Sequence, residues 1–300
     1  MAGADAPIEG VLPIDKPAGP TSHDMVSRSR RALGTRRIGH TGTLDPFASG
    51  LLLLCVGRAT RIAEYLSGMD KRYRAVVQLG VSTDTEDATG TAIEQHDPSG
   101  ITREAVDLAL DAQRGSILQT PPAYSAKKVG GERSYALARQ GRAVALEPVP
   151  VTIHGLVVTS FALPEVHLDV TCSSGTYIRS IARDLGAALG VGAHLSGLRR
   201  MAVGPHSVDE ALPAEALHVA SDATRIPSDL IRDAMIPTLV ALGAMPRIDL
   251  TDDDLAHIRH GRGIASSTHA TGTVALAAHG ELVAIADAAE GRIRPRKVFL

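Results

Sequence analysis

The sequence lacks most features that mark membrane, secreted and disulfide-rich proteins. Its 300 residues include no Trp, three Phe, five Tyr and two Cys. The longest apolar run, Leu51 to Val56, is far too short to cross a bilayer, and we expect no membrane association. The first ten residues have neither a basic start nor an apolar core, so we expect no secretory signal. Both cysteines fall in predicted strands, which indicates reduced thiols and a cytoplasmic location.

Motifs for nucleotide cofactors and metals are also absent. The chain contains no G-x-G-x-x-G and no G-x-x-x-x-G-K-[ST] sequence. Its 12 histidines are scattered and show no Cys/His spacing typical of a metal site. We therefore expect neither a cofactor nor a metal ion.

The net charge of −2 conceals an alternation along the chain. Lys and Arg exceed Asp and Glu in residues 1–80 and 119–205, whereas acidic residues exceed basic ones in 81–118 and 206–300. Two interpretations remain open: an ordinary mixed-charge surface, or a fold that gathers the basic blocks on one face to contact phosphates.

Local patterns predict a mixture of strands and helices. Between Lys71 and Gly80 apolar residues alternate with polar ones, which places Tyr73 on the apolar face of a strand. A basic helix begins at Thr21 or Ser22, which are good N-cap residues. Because no regular βαβ order is visible, we predict an α/β (α+β) fold with a central mixed, largely antiparallel sheet flanked by helices and loops.

The segment from Val166 to Gly190 predicts a strand, a turn and a helix. We expect Ser174 or Thr176 to cap the helix, which puts Arg179 in its first turn. A cation gains nothing from the helix dipole at that end. Such an arginine needs a specific anionic partner, either a carboxylate of the protein or a phosphate.

Asp45 lies in a short polar loop directly before four leucines. Because Pro46 follows it, its backbone is biased towards an extended or turn conformation. One interpretation is a surface turn before a buried strand. The other is a carboxylate held on a stiff loop, which is a candidate nucleophile if a cation keeps it ionised.

The last part of the chain forms a separate pattern. After Pro246 the sequence predicts a helix with acidic residues in its first turn, and then a hairpin that closes on Gly280. We therefore predict a main domain over residues 1–245 and a small C-terminal domain over residues 246–300.

Five segments within residues 10–205 together resemble the TruB family of bacterial tRNA pseudouridine-55 synthases. In order, they are KPAGPTSHD, RRIGHTGTLDPFASGLLLLCVGRATR, KRYRAVVQLGVSTDTEDATG, QTPPAYSAKKVGGERSYALARQG and CSSGTYIRSIARDLGAALGVGAHLSGLRR. The resemblance implies a pseudouridine synthase fold and an isomerase acting on the T-loop uridine at position 55 of tRNA. It implies no cofactor and no metal, and the T-arm of tRNA as partner. We expect a monomer without a protein partner.

The resemblance assigns catalytic roles to three residues. Asp45 matches the catalytic aspartate, which acts through attack on ribose C1′, a glycal or a base adduct. Tyr73 matches the tyrosine that stacks on the target base and takes the C5 proton. Arg179 matches the arginine that pairs with that aspartate, so its predicted anionic partner is Asp45.

The resemblance also implies a set of RNA contacts. His40 matches the histidine that props the T-loop open, while Tyr177 and Leu198 match residues that line the pocket. Lys16 lies in a motif that we interpret as structural, and residues 124–145 resemble an insertion that clamps the RNA arm. The basic residues that are candidates for phosphate contacts are Arg30, Arg31, Arg36, Arg37, Lys127, Lys128, Arg142, Arg199 and Arg200.

Two points stay open at the level of sequence. The family ends in a small RNA-binding domain of the PUA type, but residues 246–300 are short and mostly acidic before the terminal RIRPRK. An alternative function is a tRNA-binding or tRNA-folding module in which Asp45 is only a turn residue.

Overall fold

The computed structural model describes residues 8–125, 127–129, 132–134, 140, 146–217, 228–243, 245–265 and 270–299. The helices are α1 Ser22–Leu33, α2 Ala63–Ser67, α3 Arg103–Asp111, α4 Ile178–Leu189, α5 Ser228–Ala234, α6 Thr238–Ala241 and α7 Asp252–Arg259. The strands are β1 Gly10–Lys16, β2 Ile38–His40, β3 Ser49–Val56, β4 Lys71–Leu79, β5 Val81–Thr83, β6 Ala92–Gln95, β7 Gly115–Gln119, β8 Lys128–Val129, β9 Glu132–Arg133, β10 Val149–Ala162, β11 Glu165–Cys172, β12 Ala193–Val203, β13 His206–Ser207, β14 Leu212–Pro213, β15 Arg247–Asp249, β16 Ile264–Ala265, β17 Gly272–Ala278, β18 Glu281–Ala289 and β19 Arg292–Val298.

The main sheet has ten strands, and eight of them follow the order β14-β1-β3-β12-β4-β11-β10-β7. Strand β2 pairs with β3, and β13 pairs with β12. The β1–β14 and β3–β12 pairings are parallel, whereas the other pairings in this sheet are antiparallel. This confirms the predicted mixed, largely antiparallel sheet.

The four leucines after the Asp45 loop form a strand that is buried on both faces. Leu52 and Leu54 belong to the core between the sheet and helices α1, α3 and α4. Leu51 and Leu53 belong to a second core on the opposite face of the sheet. A strand covered on both sides has no solvent-facing positions, which explains a continuous apolar run instead of an alternating one.

Local predictions about strand faces and helix starts are mostly confirmed. Tyr73 is buried in β4, and its neighbours Arg72 and Arg74 are exposed. Thr21 caps α1 in a capping box with Asp24.

The predicted cap of the helix that carries Arg179 is wrong. Helix α4 starts at Ile178, and its N-cap residue Tyr177 makes no side-chain cap. Thr176 Oγ1 instead donates to Ser173 O at 3.0 Å, so that hydroxyl is used within the preceding turn.

A second sheet, of five strands in the order β15-β17-β18-β19-β16, occupies residues 247–298. It contains the predicted hairpin, because β17 and β18 are antiparallel and join near Gly280. Leu282, Ile285 and Phe299 belong to the same apolar cluster as Leu51. No helix in the described part of the chain is long and apolar enough to cross a membrane.

Gly50 allows β3 and β12 to approach each other closely beneath the Asp45 loop. Its φ is +104°, and an added Cβ would lie 2.3 Å from Arg200 O and 2.7 Å from Arg200 N. We expect Gly50→Ala to lower the free energy of unfolding by about 3 kcal/mol, because a backbone atom of a central strand cannot move aside. Urea unfolding measures the loss.

Gly280→Ala is the matched control for the Gly50 substitution. Gly280 also has a positive φ, of +81°, but no heavy atom lies within 4 Å of the added Cβ. We expect a loss of about 1 kcal/mol from the backbone conformation alone. Equal losses in the two variants would contradict the packing explanation.

Candidate active site

The loop that carries Asp45 connects β2 to β3 and is fixed to α1. The Ser22 hydroxyl accepts a hydrogen bond from Leu44 N at 2.9 Å and donates one to Leu44 O at 3.1 Å. Asp45 O accepts from Ala48 N at 3.1 Å, which closes a turn with Pro46 at its second position. The backbone on both sides of Asp45 is therefore held in one conformation.

The side chain of Lys16 supports the Asp45 loop through hydrogen bonds to backbone carbonyls. Its side chain is fully buried, and Nζ donates to Pro17 O at 2.9 Å, Pro20 O at 2.8 Å and Pro46 O at 3.3 Å. Burial lowers the pKa of the Lys16 ammonium to about 8, and the nearby Asp45 carboxylate opposes that shift. These contacts agree with the structural role that we expected for Lys16.

The predicted pairing of Asp45 with Arg179 is present. Arg179 Nε lies 2.9 Å from Asp45 Oδ2, and the arginine side chain is only 5% exposed, whereas that of Asp45 is 34% exposed. No hydrogen bond to Asp45 Oδ1 occurs within the described residues. The ion pair therefore orients the carboxylate through one oxygen and leaves the other without a hydrogen bond from a described residue.

The other nitrogens of Arg179 are also bound. Nη1 donates to Thr85 O at 3.0 Å, and Nη2 donates to Tyr124 O at 2.9 Å. Nη1 also lies 3.7 Å from Oδ2 of the buried Asp87. The cation at the start of α4 thus faces two carboxylates, which offset its unfavourable position relative to the helix dipole.

Asp87 is a part of this site that the sequence did not reveal to us. Its Oδ1 accepts hydrogen bonds from Thr85 Oγ1 at 2.8 Å, Thr89 Oγ1 at 2.6 Å and Thr89 N at 3.0 Å. The TDTEDATG segment contains the residue types of such a side-chain-stabilised turn. Nothing in that pattern indicates that the turn packs against Arg179, since the two are 92 positions apart.

Two opposing effects act on the ionisation of Asp45. Loss of solvent around the carboxylate raises its pKa above the ordinary value of 3.8, and the Asp87 carboxylate adds to this. The Arg179 guanidinium, and to a smaller extent Lys16, lower it. The net direction is upward, so Asp45 takes up a proton at a higher pH than an ordinary aspartate does.

Tyr73 lies at the base of the site with 8% of its surface exposed. Burial raises the pKa of its hydroxyl, and the charge of Arg200 opposes this without reversing the upward direction. The Asp45 carboxylate is close enough to raise it further. The structure therefore places Tyr73 near Asp45, which is paired with Arg179.

Tyr177 is held through its backbone by a residue that we did not predict. Gln119, at the end of β7, accepts from Tyr177 N at 2.8 Å and donates to Tyr177 O at 3.1 Å. The buried Gln119 carboxamide thereby fixes the start of α4, two residues before Arg179. Burial raises the pKa of the Tyr177 hydroxyl, and the charge of Arg179 opposes this.

His40 and Leu198 lie in strands next to the site, and both are half-buried. His40 ends β2 and accepts from Gly42 N at 3.4 Å through Nδ1. Burial lowers the pKa of the His40 imidazole, and the charges of Arg200 and His23 act in the same direction. Leu198 in β12 is opposite Ala75 in β4, two residues from Tyr73.

The basic residues chosen as phosphate contacts differ in their surroundings. Arg31, Arg36 and Arg37 are exposed, and Lys127 is half-exposed. Arg30 donates to Ile38 O at 2.9 Å, and Arg199 forms a two-point ion pair with Asp15 at 3.0 and 2.7 Å. Arg142, the side chain of Lys128 and much of residues 124–145 lie outside the described residues.

Arg200 does not lie on the basic surface that we expected. It is only 2% exposed, and its guanidinium donates to Leu51 O at 2.7 Å and to Gly42 O at 3.1 Å. The reason is its position in β12, a strand in the middle of the main sheet, where its side chain faces the Asp45 loop. Arg200 therefore has no surface from which to reach a phosphate.

Comparisons with known proteins find pseudouridine synthase relatives along nearly the whole chain. The model of the TruB family pseudouridylate synthase N-terminal domain matches residues 30–178, and that of the tRNA pseudouridylate synthase B C-terminal domain matches residues 179–242. A tRNA pseudouridine synthase B of Thermobifida fusca (strain YX) is 44% identical over 299 residues, covering 97% of this chain and 98% of its own length.

A second relative and a solved structure agree with that match. The tRNA pseudouridine synthase B of Symbiobacterium thermophilum is 46% identical over 261 residues, covering 86% of this chain and 84% of its own. A chain in the crystal structure of a Cbf5-Nop10-Gar1 complex superposes with a TM-score of 0.75 at 26% identity. It covers 97% of this chain and 85% of its own length.

Proposed function

This chain belongs to the TruB family of pseudouridylate synthases, and from that membership we propose that it isomerises the T-loop uridine at position 55 of tRNA to pseudouridine. The observation that carries the proposal is the ion pair between Asp45 and the buried Arg179, at 2.9 Å. A carboxylate fixed on a stiff loop, with one oxygen bound and the other open, has the geometry of an oriented nucleophile or base.

The reaction breaks the bond between ribose C1′ and N1 of the base and forms a bond between C1′ and C5. In the nucleophilic route, Asp45 Oδ1 attacks C1′ while N1 leaves with the bonding electrons. The base turns, C5 then attacks C1′, and the carboxylate leaves. In the glycal route, the same oxygen removes the 2′ proton, so both routes require an ionised Asp45. A base adduct, in which Asp45 attacks the uracil ring, has the same requirement.

Tyr73 and the half-buried residues around it form the site for the target base in this proposal. The ring of Tyr73 stacks on the base, and its oxygen, as the phenolate, takes the C5 proton that must leave before the product becomes aromatic again. Tyr177 and Leu198 line the pocket, and His40 occupies the space that the extruded base leaves in the T-loop. Extrusion costs on the order of a few kcal/mol, which these contacts have to offset.

Contacts with the tRNA backbone are assigned to exposed cations near the site. Arg31, Arg36 and Arg37 are exposed, Lys127 is half-exposed, and Arg31 lies in the last turn of α1. Folded RNA is recognised mainly through its shape, phosphates and 2′-hydroxyls, so a basic surface meets the requirement without base-specific contacts.

The proposal also covers the domains of the chain, its oligomeric state and its requirements for activity. We assign residues 1–245 to the catalytic domain and residues 246–300 to a small C-terminal domain of the PUA type. The enzyme acts as a monomer in the cytoplasm, with the T-arm of tRNA as its partner and without a protein partner. It requires neither a cofactor nor a metal ion, because both displacements at C1′ are driven by groups of the protein and the substrate.

Release of tritium tests the reaction directly. Unmodified tRNA labelled with tritium at C5 of its uridines loses label to water when C5 becomes bonded to C1′. We expect the purified chain to release tritium without added metal or nucleotide. Binding of the tRNA without release would instead support a tRNA-binding or tRNA-folding module.

The pH dependence of turnover follows from the raised pKa of Asp45. Because only the carboxylate is active, we expect the single-turnover rate to fall as the pH drops through that pKa. The midpoint of the acidic limb should therefore lie above the ordinary aspartate pKa of 3.8. Rapid-quench measurements at saturating enzyme give the profile, and a rate that stays constant down to about pH 4 would contradict the assignment.

A further inference from the structure

Arg200 is a buried cation to which the proposed function gives no role. It is 2% exposed, and none of the ion pairs formed within the described residues includes it. Burial of a charge is costly unless hydrogen bonds compensate for it. Two backbone carbonyls, Leu51 O and Gly42 O, accept from Arg200 at 2.7 and 3.1 Å. Two neutral acceptors fix its orientation without neutralising its charge.

The strand register places Arg200 in a lateral row that crosses the main sheet under the Asp45 loop. Lys16 in β1 is opposite Gly50 in β3, Gly50 is opposite Arg200 in β12, and Arg200 is opposite Tyr73 in β4. Residues directly opposite each other in neighbouring strands have side chains on the same face. Because Gly50 has no side chain, nothing in β3 separates the two buried cations, and the side chains of Arg200 and Tyr73 are neighbours.

The chemistry of the guanidinium constrains the Tyr73 hydroxyl. An arginine side chain has N–H donors and no acceptor. The backbone carbonyls of Leu51 and Gly42 occupy two of these donors, which leaves others free to face Tyr73. A hydroxyl beside such a group presents its oxygen to the arginine, so its own hydrogen points away from it. Burial raises the pKa of the Tyr73 hydroxyl, and Arg200 is the main group that opposes this rise.

We propose that Arg200 is a positioning residue for Tyr73: it fixes the orientation of the hydroxyl and stabilises the negative charge of the phenolate that forms before this oxygen takes up a proton from C5 of the base. This inference rests on the proposed function, because it requires Tyr73 to act as a base. The hydroxyl first gives its proton to solvent or to another base, and the resulting phenolate oxygen then accepts the C5 proton. The positive charge of Arg200 lowers the energy of that phenolate.

A double-mutant cycle tests the inference. The four enzymes are the wild type, Arg200→Lys, Tyr73→Phe and the double variant, and the measured quantities are single-turnover tritium release and tRNA affinity by filter binding. We expect Arg200→Lys to lower the rate about tenfold or more in the wild-type background but less than about twofold in Tyr73→Phe. Its tRNA affinity should change less than about threefold, because Arg200 is not at the surface.

Arg72→Lys is the matched control. Arg72 precedes Tyr73 in β4, faces the other side of the sheet and forms a two-point ion pair with Asp169 at 3.0 and 2.6 Å. We expect its rate to equal that of the wild type. If Arg200→Lys does not fold, as judged by thermal unfolding, Arg200→Gln replaces it in the cycle. The glutamine amide retains N–H donors for the backbone carbonyls but carries no charge.

Two results would overturn the inference. Losses that multiply in the double variant would show that Arg200 acts independently of the Tyr73 hydroxyl, as a purely structural residue does. A loss of tRNA affinity with an unchanged rate at saturating enzyme would return Arg200 to the set of phosphate contacts. Tritium release by the wild type is measured in the same experiment, so a failure of the proposed function is recognised separately.

Discussion

Replacing Asp45 by Asn is expected to abolish pseudouridine formation while leaving tRNA binding intact. The amide has nearly the same shape as the carboxylate, and its oxygen accepts the hydrogen bond from Arg179 Nε. It is neither a nucleophile nor a base, so every route that begins at this side chain is blocked. We expect the single-turnover rate to fall by about 10⁴-fold or more, as for other essential nucleophiles. Affinity for tRNA should change less than about threefold, because one neutralised carboxylate at the site removes no cation.

Asp169→Asn is the control for this substitution. Asp169 lies in β11 of the main sheet and pairs with Arg72 on the face away from the site. The variant should retain the wild-type rate. Measurable product from a purified Asp45→Asn enzyme, free of wild-type protein and of molecules in which the introduced amide has hydrolysed back to a carboxylate, would show that the carboxylate is not required.

Replacing Arg179 by Lys is expected to have the second-largest effect. The guanidinium contacts Asp45, Thr85 O and Tyr124 O in three different directions. One ammonium group cannot reproduce that arrangement, and a poor fit leaves two carboxylates beside a misplaced charge. We expect the rate to fall by about 10²-fold or more with little change in tRNA affinity, since a small displacement of a reacting group has effects of this size.

Arg183→Lys separates the role of the ion pair from general effects on α4. Arg183 lies one turn after Arg179 and bonds to Glu86 and Asp184 at 2.9 and 2.8 Å, without contact to Asp45. It should lose some stability and keep its rate within about threefold. If Arg179→Lys weakened tRNA binding while turnover at saturating enzyme stayed normal, Arg179 would be a phosphate contact instead of the partner of the carboxylate.

Local sequence was sufficient to predict those features of the fold whose physical cause lies in neighbouring residues. Alternation placed Tyr73 on the buried face of β4, and the capping preference of Thr21 fixed the start of α1. The unusual position of Arg179 at a helix start correctly indicated an anionic partner, because the helix dipole is a property of the helix itself. The family resemblance then identified that partner as Asp45.

Other parts of the site depend on pairings between distant segments. Arg200 was expected among the phosphate contacts, yet its position in β12 opposite Gly50 and Tyr73 buries it. Gln119 fixes Tyr177 across 58 residues, and no propensity reports such a contact. The predicted cap of α4 was also wrong, because the N-cap residue is Tyr177, whose backbone N–H and C=O are bound by the distant Gln119 carboxamide.

The run of four leucines was predictable only in part. Its length indicated a buried strand, but an alternating pattern was missing because both faces of β3 are covered. One cover is formed by α1, α3 and α4, and the other includes Phe299 and strands of the second sheet. The same strand therefore supports the Asp45 loop and joins the two sheets, which explains why it is so uniformly apolar.

The most direct test of the central claim compares two tRNA substrates. Both are unmodified and carry tritium at C5 of their uridines, but in one the T-loop uridine at position 55 is replaced by cytidine. The account predicts that the wild-type chain releases a single equivalent of tritium from the first tRNA and none from the second. It also predicts that the Asp45→Asn variant releases none from either. Equal release from both substrates, or no release from either by the wild type, would contradict it.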